Sequence, residues 1–326
     1  MSRTPYNPAV LRVSDLTIIS KKNGVTIIDN LSLQVRRGEI VSLLGESGSG
    51  KSVTSLAIMG LTQGMTINGS ITLEEQEITQ FSEKEMRNLR GARIAMIFQN
   101  PMSSLNPVKT VGKQISEVLR RHISMSSSKA QKQAISIMQD VGLHDPERCY
   151  HAYAHQLSGG MCQRIMIAMA IACRPALLVA DEPTTALDMT VQRQIMDVLT
   201  SLTSRYGMSV LFITHDLHLA QYYSDRTNIM YAGQIVEEGA TDIIFSRPAH
   251  PYTQALIACN PDSDSAHTRF NSIPGHVPDL RELPTGCYFS PRCSSVKPDC
   301  TVASVSMVSL ERGGQVRCNH PLTKKN

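Results

Sequence analysis

The stretch that decides the fold is GEIVSLLGESGSGKSVTSLAIMGL, residues 38–61. Residues 40–44 form a short apolar run, which predicts a buried β-strand, and residues with helical apolar spacing follow the glycine-rich segment. Glycines let successive backbone N–H groups turn inward, and the helix N-terminus adds partial positive charge. The sequence therefore predicts a phosphate-binding P-loop. Its residues are Gly45, Glu46, Ser47, Gly48, Ser49, Gly50, Lys51 and Ser52.

In such a loop, the lysine reaches the β- and γ-phosphates of a nucleotide and the hydroxyl that follows it ligates Mg²⁺. We therefore expect Lys51 to reach the β- and γ-phosphates of a nucleotide and Ser52 to bind Mg²⁺. A second apolar run, residues 176–180, ends in Asp181 and Glu182. Ligand chemistry in open α/β sheets lies at the carboxyl ends of strands. Asp181 thus fits a role in holding Mg²⁺ through water, and Glu182 a role in polarising the attacking water.

Length, composition and charge limit the classes of protein to which this chain can belong. The chain has 326 residues, of which 41% are hydrophobic and 18% charged, so we expect about two globular domains. Its net charge of +4 is too small to indicate a nucleic-acid partner. The first residues show no apolar signal-peptide region, and the longest apolar run, residues 165–173, is far below the roughly 20 residues of a membrane span. We expect a cytosolic chain with reduced thiols.

Between the two phosphate-site motifs, LSGGM at residues 157–161 precedes a long apolar helix pattern. With the P-loop upstream and the acids downstream, the chain resembles the ATP-binding subunit of an ABC transporter. LSGGM resembles the family signature, Gln99 the Q-loop, residues 186–188 the D-loop and His215 the switch histidine. The motifs keep the family's order over residues from about 10 to 245. One departure lies at residues 16–30, where no aromatic residue is present to stack on adenine, and Ile18 or Ile19 is left for apolar contact.

The resemblance implies an α/β P-loop NTPase (ABC ATPase) fold over residues 1–260, with a helical subdomain at about 101–170. Helical apolar spacing at 109–123 and 129–143 agrees with that subdomain. A polar stretch, residues 260–272, marks the boundary to a C-terminal extension, residues 261–326.

The resemblance also implies how ATP is hydrolysed. Gln99 and His215 join Glu182 in catalysis, and Gln99 joins Ser52 and Asp181 at Mg²⁺. Two subunits pair head to tail, so that the signature of one acts on the nucleotide of the other. The chain holds one P-loop and one signature, with no internal repeat, so its partner would be a second ABC ATPase subunit, expected to be a different chain. The nucleotide-contacting residues outside the P-loop are then Ser158, Gly159, Gly160, Asp181 and Asp188.

Three segments, at residues 99–108, 247–256 and 273–293, resemble the dipeptide/oligopeptide importer branch of the family. That branch implies two membrane permease subunits, an extracytoplasmic substrate-binding protein and a peripheral position at the cytoplasmic face of the inner membrane. Related cargoes are glutathione, D-amino-acid dipeptides and nickel, and nothing in this chain chooses among them. A soluble ABC ATPase acting on ribosomes or DNA is the competing class. A single cassette without a heptad array disfavours it.

The last segment of the chain is Pro-rich and contains four cysteines. It holds too few apolar residues to fold on a core of its own, so it needs to dock on the rest of the chain or to be cross-linked by its cysteines. No C-x2-C pair of a zinc ribbon is present. Dispersed thiolates can hold an iron–sulfur cluster, and the importer branch implies a [4Fe–4S] cluster here, with zinc, a disulfide or no ligand as alternatives. His320 is a further candidate ligand, but is expected to be a surface residue. The four cysteines are Cys287, Cys293, Cys300 and Cys318.

Overall fold

The computed structural model describes residues 8–185, 187–259 and 272–322. Its strands are β1 (Ala9–Ser20), β2 (Thr26–Arg36), β3 (Ile40–Leu44), β4 (Met65–Leu73), β5 (Gln76–Glu77), β6 (Ile94–Ile97), β7 (Leu177–Asp181), β8 (Ser209–Thr214), β9 (Arg226–Tyr231), β10 (Gln234–Ala240), β11 (Val308–Ser309) and β12 (Gln315–Val316). Its helices are α1 (Lys51–Ile58), α2 (Glu83–Leu89), α3 (Pro101–Ser104), α4 (Val111–Ile123), α5 (Ser127–Asp140), α6 (Pro146–His151), α7 (Gly159–Ile171), α8 (Met189–Tyr206), α9 (Leu217–Tyr223), α10 (Thr241–Ser246) and α11 (Pro251–Ala258). This mixture confirms the predicted α/β class.

The chain divides into two compact units. We call residues 1–11, 35–39 and 72–212 the helical unit, and residues 12–34, 40–71 and 213–326 the P-loop unit. Both contain short strands that are buried along their whole length, such as β3 and β7. Continuous apolar strands of this kind are typical of parallel sheets covered on both faces. In agreement, β3 pairs in parallel with β9 in the P-loop unit, and β6 with β7 in the helical unit.

In the helical unit, strand order runs β6, β7, β8, and five helices from α3 to α7 lie between β6 and β7 in the chain. Helix α4 packs against α5, α6 and α7. Its buried apolar residues Val111, Ile115 and Leu119 recur every four positions, so they form one face of the helix. The two helices predicted at 109–123 and 129–143 are confirmed, with bounds that differ by two or three residues at three of the four ends.

In the P-loop unit, β3, β9, β10, β12 and β11 follow one another across a sheet. Strand β10 is antiparallel to β9, and the C-terminal strand β12 pairs with β10 through Glu237 opposite Val316 and Glu238 opposite Gln315. We call residues 272–322 the tail. The tail also packs Phe289 against Tyr231 and Tyr252, with ring centroids 5.3 Å apart in both pairs. The expected docking of the tail is thus present, whereas the boundary expected near residue 260 lies outside the described residues.

Candidate functional site

The predicted P-loop lies between β3 and α1, as the sequence indicates. Five consecutive buried residues of β3 lead into Gly45, and α1 begins at Lys51 directly after Gly50. Gly50 has a φ of 107°, in the left-handed region that favours glycine, and it is the N-cap of α1. At Gly45 a Cβ atom would lie 2.2 Å from the carbonyl oxygen of Met230, so only glycine fits. The backbone geometry therefore requires glycine at the two ends of the loop.

Lys51 is the positively charged residue of this loop. Its side chain is buried, and Nζ donates to the carbonyl oxygens of Gly45, at 2.8 Å, and Glu46, at 2.9 Å. Ser52, the second residue of α1, is exposed, and so are Ser47 and Gly48 in the loop. A lysine that donates to loop carbonyl oxygens beside an exposed loop surface suits the binding of a phosphate group. Phosphate oxygens can accept the hydrogen bonds that the lysine now donates to the carbonyl oxygens.

His215 belongs to the same unit and follows β8 directly. It is exposed, and its neighbour Asp216 is the N-cap of α9, accepting from the backbone N–H groups of His218 and Leu219 at 2.9 and 3.1 Å. The cap fixes where α9 begins. His215 lies between the end of β8 and this cap, which is the strand-end position that the motif predicts.

In the helical unit, the structure brings Gln99 and Glu182 together. Strands β6 and β7 are parallel neighbours, with Ile97 opposite Ala180, so the residues that follow them meet at one edge of the sheet. Gln99 Nε2 donates to Glu182 Oε2 at 2.8 Å, and Thr185 Oγ1 donates to the same oxygen at 2.8 Å. Two hydrogen bonds fix the orientation of a carboxylate that the sequence assigned to water activation.

The backbone around Glu182 is unusual. Asp181 is the last residue of β7 and is buried, whereas Glu182 is half-buried and has a φ of 48°, in the left-handed region. A non-glycine residue there costs about 1–3 kcal/mol, and such residues cluster at functional sites. The turn separates the two acids, so that one ends a buried strand and the other is presented at its edge.

The signature residues are on the surface of the helical unit. Ser158 is the N-cap of α7, and its hydroxyl accepts from the backbone N–H of Met161 at 3.3 Å. Ser158 and Gly159 are exposed, and a Cβ on Gly159 would meet nothing within 4 Å. Asp188 is the exposed N-cap of α8. Ala186, in the motif that contains Asp188, lies outside the described residues.

The structure also decides between the two isoleucines left for adenine contact. Ile18 is fully buried in the core, whereas Ile19 is partly exposed. Of the two isoleucines, Ile19 is therefore the one with exposed surface that a bound base could contact, and adenine contact at this position stays a prediction.

The four tail cysteines line one cavity, together with His250 and His320. The backbone N–H of Cys287 donates to the carbonyl oxygen of Cys300 at 2.8 Å, which holds these two positions together. Burial raises the pKa of Cys287 and Cys293, and raises that of Cys318 to about 11, with the neighbouring sulfurs adding to the shift for Cys318. The four cysteines that are dispersed in the sequence thus come together at the lining of one cavity.

No three of these four sulfurs lie within 4.8 Å of one another in the described part of the chain. The three ligand atoms that do so belong to Asp299, Cys300 and His320. His320 is partly exposed, and its Nε2 lies 2.7 Å from Asp299 Oδ2. A tetrahedral zinc site brings its sulfurs to about 3.8 Å of one another, given Zn–S bonds of about 2.3 Å. The four sulfurs therefore do not form a ready-made zinc–thiolate site, whereas Asp299, Cys300 and His320 offer ligand types that zinc accepts.

Sequence reasoning missed Arg292, which lies between Cys287 and Cys293 in the tail. Its guanidinium forms a two-point ion pair with Glu46 of the P-loop, with N–O distances of 2.9 and 3.2 Å. Tyr252, also missed, accepts from the backbone N–H of Glu46 at 3.1 Å. The one sequence feature that draws attention to Arg292 is its charge within a short cysteine-containing segment, but nothing in the sequence identifies its partner.

A P-loop between a buried strand and a helix, and in the other unit an acid pair at a strand end, define a P-loop nucleotide-binding protein. Comparison with known proteins narrows this class. The family model described as "ABC transporter" matches residues 28–185, and the model "Oligopeptide/dipeptide transporter, C-terminal region" matches residues 236–300.

Two similar relatives are the oligopeptide transport ATP-binding protein AppD of Bacillus subtilis (strain 168) and the dipeptide transport ATP-binding protein DppD of Escherichia coli (strain K12). AppD is 44% identical over 91% of this chain and 92% of its own length, and DppD is 47% identical over 90% and 91%. A dimeric structure of the ATP-binding cassette MJ0796 in a post-hydrolysis state, bound to ADP and Pi, covers 71% of this chain and 98% of its own, with a TM-score of 0.64 and 29% identity. The chain belongs to the ABC transporter family of ATP-binding proteins.

None of the helices within residues 8–185, 187–259 and 272–322 is long and apolar enough to cross a membrane.

Proposed function

We propose that this chain is the ATP-hydrolysing subunit that powers an ABC importer for dipeptides or oligopeptides. The observation that carries the proposal is the P-loop with its buried Lys51, together with Glu182 held by Gln99. The peptide cargo is supported by the names of AppD and DppD, which are 44% and 47% identical to this chain over nine-tenths of its length.

In this proposal the site residues bind phosphate, hold Mg²⁺ or act on the attacking water, and Gln99 takes part in two of these tasks. Lys51 and the N–H groups of the P-loop bind the phosphates of ATP. Ser52, Gln99 and Asp181 hold Mg²⁺, which neutralises charge on the phosphates. Glu182 polarises the attacking water, and His215 contacts the γ-phosphate. The hydrogen bonds from Gln99 and Thr185 orient the Glu182 carboxylate before water arrives, which lowers the cost of reaching the reactive arrangement.

The signature residues would serve the nucleotide of a second subunit. Ser158 and Gly159 are exposed at the start of α7, where the helix N-terminus favours an anion. The similar cassette MJ0796 is a dimer in its solved structure. We infer a head-to-tail pair with a second ABC ATPase subunit, expected to be a different chain, on two membrane permease subunits fed by an extracytoplasmic substrate-binding protein. The subunit would then lie at the cytoplasmic face of the inner membrane.

We also infer that Cys287, Cys293, Cys300 and Cys318 hold a [4Fe–4S] cluster. All four thiols line one cavity, and four dispersed thiolates are a ligand set that a [4Fe–4S] cluster accepts. When bound, the cluster would supply four thiolate bonds that staple a tail with little apolar core. Cys149 and Cys162 are buried within the helical unit and serve packing.

The nucleotide site is tested by ATP turnover in the assembled transporter. Glu182→Gln should retain ATP binding and lose at least about a hundredfold in turnover, because general base catalysis contributes roughly 10²–10⁴-fold. Glu311→Gln, an exposed acid of the tail, is the matched control and should turn over normally. Normal turnover by Glu182→Gln would remove the carboxylate from the mechanism.

The cargo is tested by uptake of labelled dipeptides in a strain lacking this chain. Loss of uptake, restored by the wild-type chain and not by Lys51→Ala, supports a peptide importer. Undiminished uptake in a strain without a duplicate system contradicts it.

The cluster is tested by metal and sulfide content after anaerobic purification. About four irons and four sulfides per chain, lost in Cys287→Ser and kept in Cys259→Ser, are expected for a [4Fe–4S] cluster. A zinc content near one per chain would contradict the cluster and indicate a structural zinc site instead.

A further inference from the structure

We propose that Arg292 of the tail is a positioning residue for the nucleotide site, acting on the P-loop through Glu46. The inference rests on the proposed function, since it requires that the P-loop bind ATP. It gives the tail a task in nucleotide binding that does not depend on what fills the cysteine cavity.

The contact is a two-point ion pair. Arg292 Nη1 lies 2.9 Å from Glu46 Oε2, and Nη2 lies 3.2 Å from Oε1. The Arg292 side chain is 6% exposed and that of Glu46 is 24% exposed, so the pair is largely shielded from water. Shielded, two-point pairs of arginine with carboxylate are the strong and geometrically specific kind.

Every donor of the Arg292 guanidinium has an acceptor. Besides Glu46, Nη1 donates to the hydroxyl of Tyr231 at 3.3 Å, Nε to the carbonyl oxygen of Pro274 at 2.9 Å, and Nη2 to that of Ile273 at 3.4 Å. The five N–H groups of a guanidinium are thus all used. The guanidinium also lies 5.8 Å from the centroid of the Tyr231 ring. Arg292 is therefore held rigidly, and it can transmit the position of the tail to the loop.

The backbone of Glu46 is held from the same side. Its N–H donates to the hydroxyl of Tyr252 at 3.1 Å, and the Tyr252 ring is fully buried between Tyr231 and Phe289. Glu46 is thus fixed at its side chain by the tail and at its backbone by an aromatic cluster to which the tail contributes Phe289. Since Glu46 is the second residue of the P-loop, these contacts set where the loop begins its turn.

The charge of Glu46 gives Arg292 a second effect. The Glu46 carbonyl oxygen accepts from Lys51 Nζ at 2.9 Å, so this residue is part of the surroundings of the phosphate-binding lysine. An unpaired carboxylate there would repel the phosphates of ATP, because like charges at short range disfavour binding. Arg292 neutralises that carboxylate and holds it by two hydrogen bonds.

Other tail anchors lie away from the loop and supply a control. The Tyr288 hydroxyl donates to Asp29 Oδ2 at 2.7 Å, with Asp29 on β2. Its loss should weaken the docking of the tail without touching Glu46. A change of nucleotide affinity that follows Arg292, and not Tyr288, therefore separates positioning of the P-loop from general support of the fold.

The test measures binding of a fluorescent ATP analogue to the full chain, and KM and kcat for ATP in the assembled transporter. Arg292→Ala should weaken binding and raise KM about tenfold, while kcat changes by less than about twofold, because the lost interaction is made in the ground state as well as in the transition state. Arg292→Lys keeps the charge, loses the fork and should weaken binding about threefold.

A double variant shows whether Glu46 carries the effect. Glu46→Gln in the Arg292→Ala background should recover the part of the affinity that is lost to charge repulsion, since it removes the unpaired carboxylate, and the two changes should be non-additive. Tyr288→Phe should lower the thermal midpoint and leave affinity unchanged.

Wild-type affinity in Arg292→Ala, or additive losses in the double variant, would overturn the proposal. If Arg292→Ala does not fold, Arg292→Lys and its combination with Glu46→Gln decide by the same criterion. Lys51→Ala distinguishes failure of this proposal from failure of the proposed function. Wild-type affinity in Lys51→Ala would refute the nucleotide site itself. Lost affinity in Lys51→Ala together with wild-type affinity in Arg292→Ala would refute only the role of Arg292.

Discussion

The helical segment at residues 111–171 and the tail are of similar length, but different forces hold them in place. In the helical segment, α4, α5, α6 and α7 bury apolar faces against one another. The buried apolar residues of the described tail are few: Phe289, Val305 and Val316. Its other anchors are polar and specific, among them Arg292 with Glu46 and Tyr288 with Asp29.

The difference concerns how each region responds to a substitution. A helical bundle shares its free energy of folding among many apolar contacts, so the loss of one polar contact changes little. A region with a small core concentrates its free energy in a few side chains. We therefore expect single substitutions in the tail to undock a whole region, and equivalent substitutions in the helical segment to act locally.

The largest effect is expected for Phe289→Ala. The ring is 3% exposed and packs on Tyr231, Tyr252 and His250, so its removal leaves a cavity in an aromatic cluster and should cost about 4 kcal/mol of unfolding free energy. Urea unfolding and limited proteolysis of the tail measure this. Val302→Ala, at a residue that is 76% exposed, is the control and should change stability by less than about 0.5 kcal/mol. A tail that stays protease-resistant in Phe289→Ala would contradict the idea of a concentrated core.

Leu119→Ala in α4 is the counterpart in the helical segment and should cost about 3 kcal/mol. Leu119 is fully buried, so the loss reflects a cavity in a larger core whose neighbours can relax around it. Lys113→Ala, on the exposed face of the same helix, should be nearly neutral. Hydrogen exchange should report loosening confined to α4 and its neighbours, and global exposure of the chain would contradict the expected difference.

The smallest effects compare two tyrosines in equivalent contacts. Tyr288 in the tail and Tyr206 in α8 each donate to an aspartate at 2.7 Å, to Asp29 and Asp140 respectively. Burial raises the pKa of both phenols, so both remain protonated donors at neutral pH. Each aspartate keeps a second partner when the phenol is lost: Asp140 keeps the charged Arg205, and Asp29 keeps the neutral amide of Gln234 at 2.8 Å. Because hydrogen bonds to charged groups are the stronger kind, Tyr206→Phe should cost about 0.5 kcal/mol and Tyr288→Phe about 1.5 kcal/mol. Equal losses in thermal or urea unfolding would remove the distinction between the two regions.

The regions also differ in how far the sequence predicts them. The P-loop is contiguous, and its glycines, lysine and serine have fixed offsets, so residues 45–52 and the strand and helix beside them follow from local chemistry. Helices α4 and α5 follow from apolar spacing. Their ends differ by two or three residues because apolar spacing indicates the buried face of a helix and not its first or last residue. Helix α5, for example, begins after Ser126, which stands at the N-cap without a capping hydrogen bond from its side chain.

The arrangement of the tail could not be predicted in the same way. Strand β12 is two residues long and carries no periodicity, and the contact of Arg292 with Glu46 joins residues 246 positions apart. The proximity of Gln99 and Glu182 follows from parallel pairing of β6 and β7, which a single sequence does not show. Local patterns thus predict elements and motifs, whereas partners distant in the chain are decided by tertiary packing.

The pairing of β12 with β10 has a consequence for solubility. A strand at the edge of a sheet presents unpaired N–H and C=O groups that can recruit a strand from another molecule. In this chain β12 occupies that position on β10, opposite Glu237 and Glu238, and the short β11 lies beyond it. A chain shortened to remove the tail would expose the edge of β10, and we expect it to aggregate during expression, even though its P-loop and β3 would be intact.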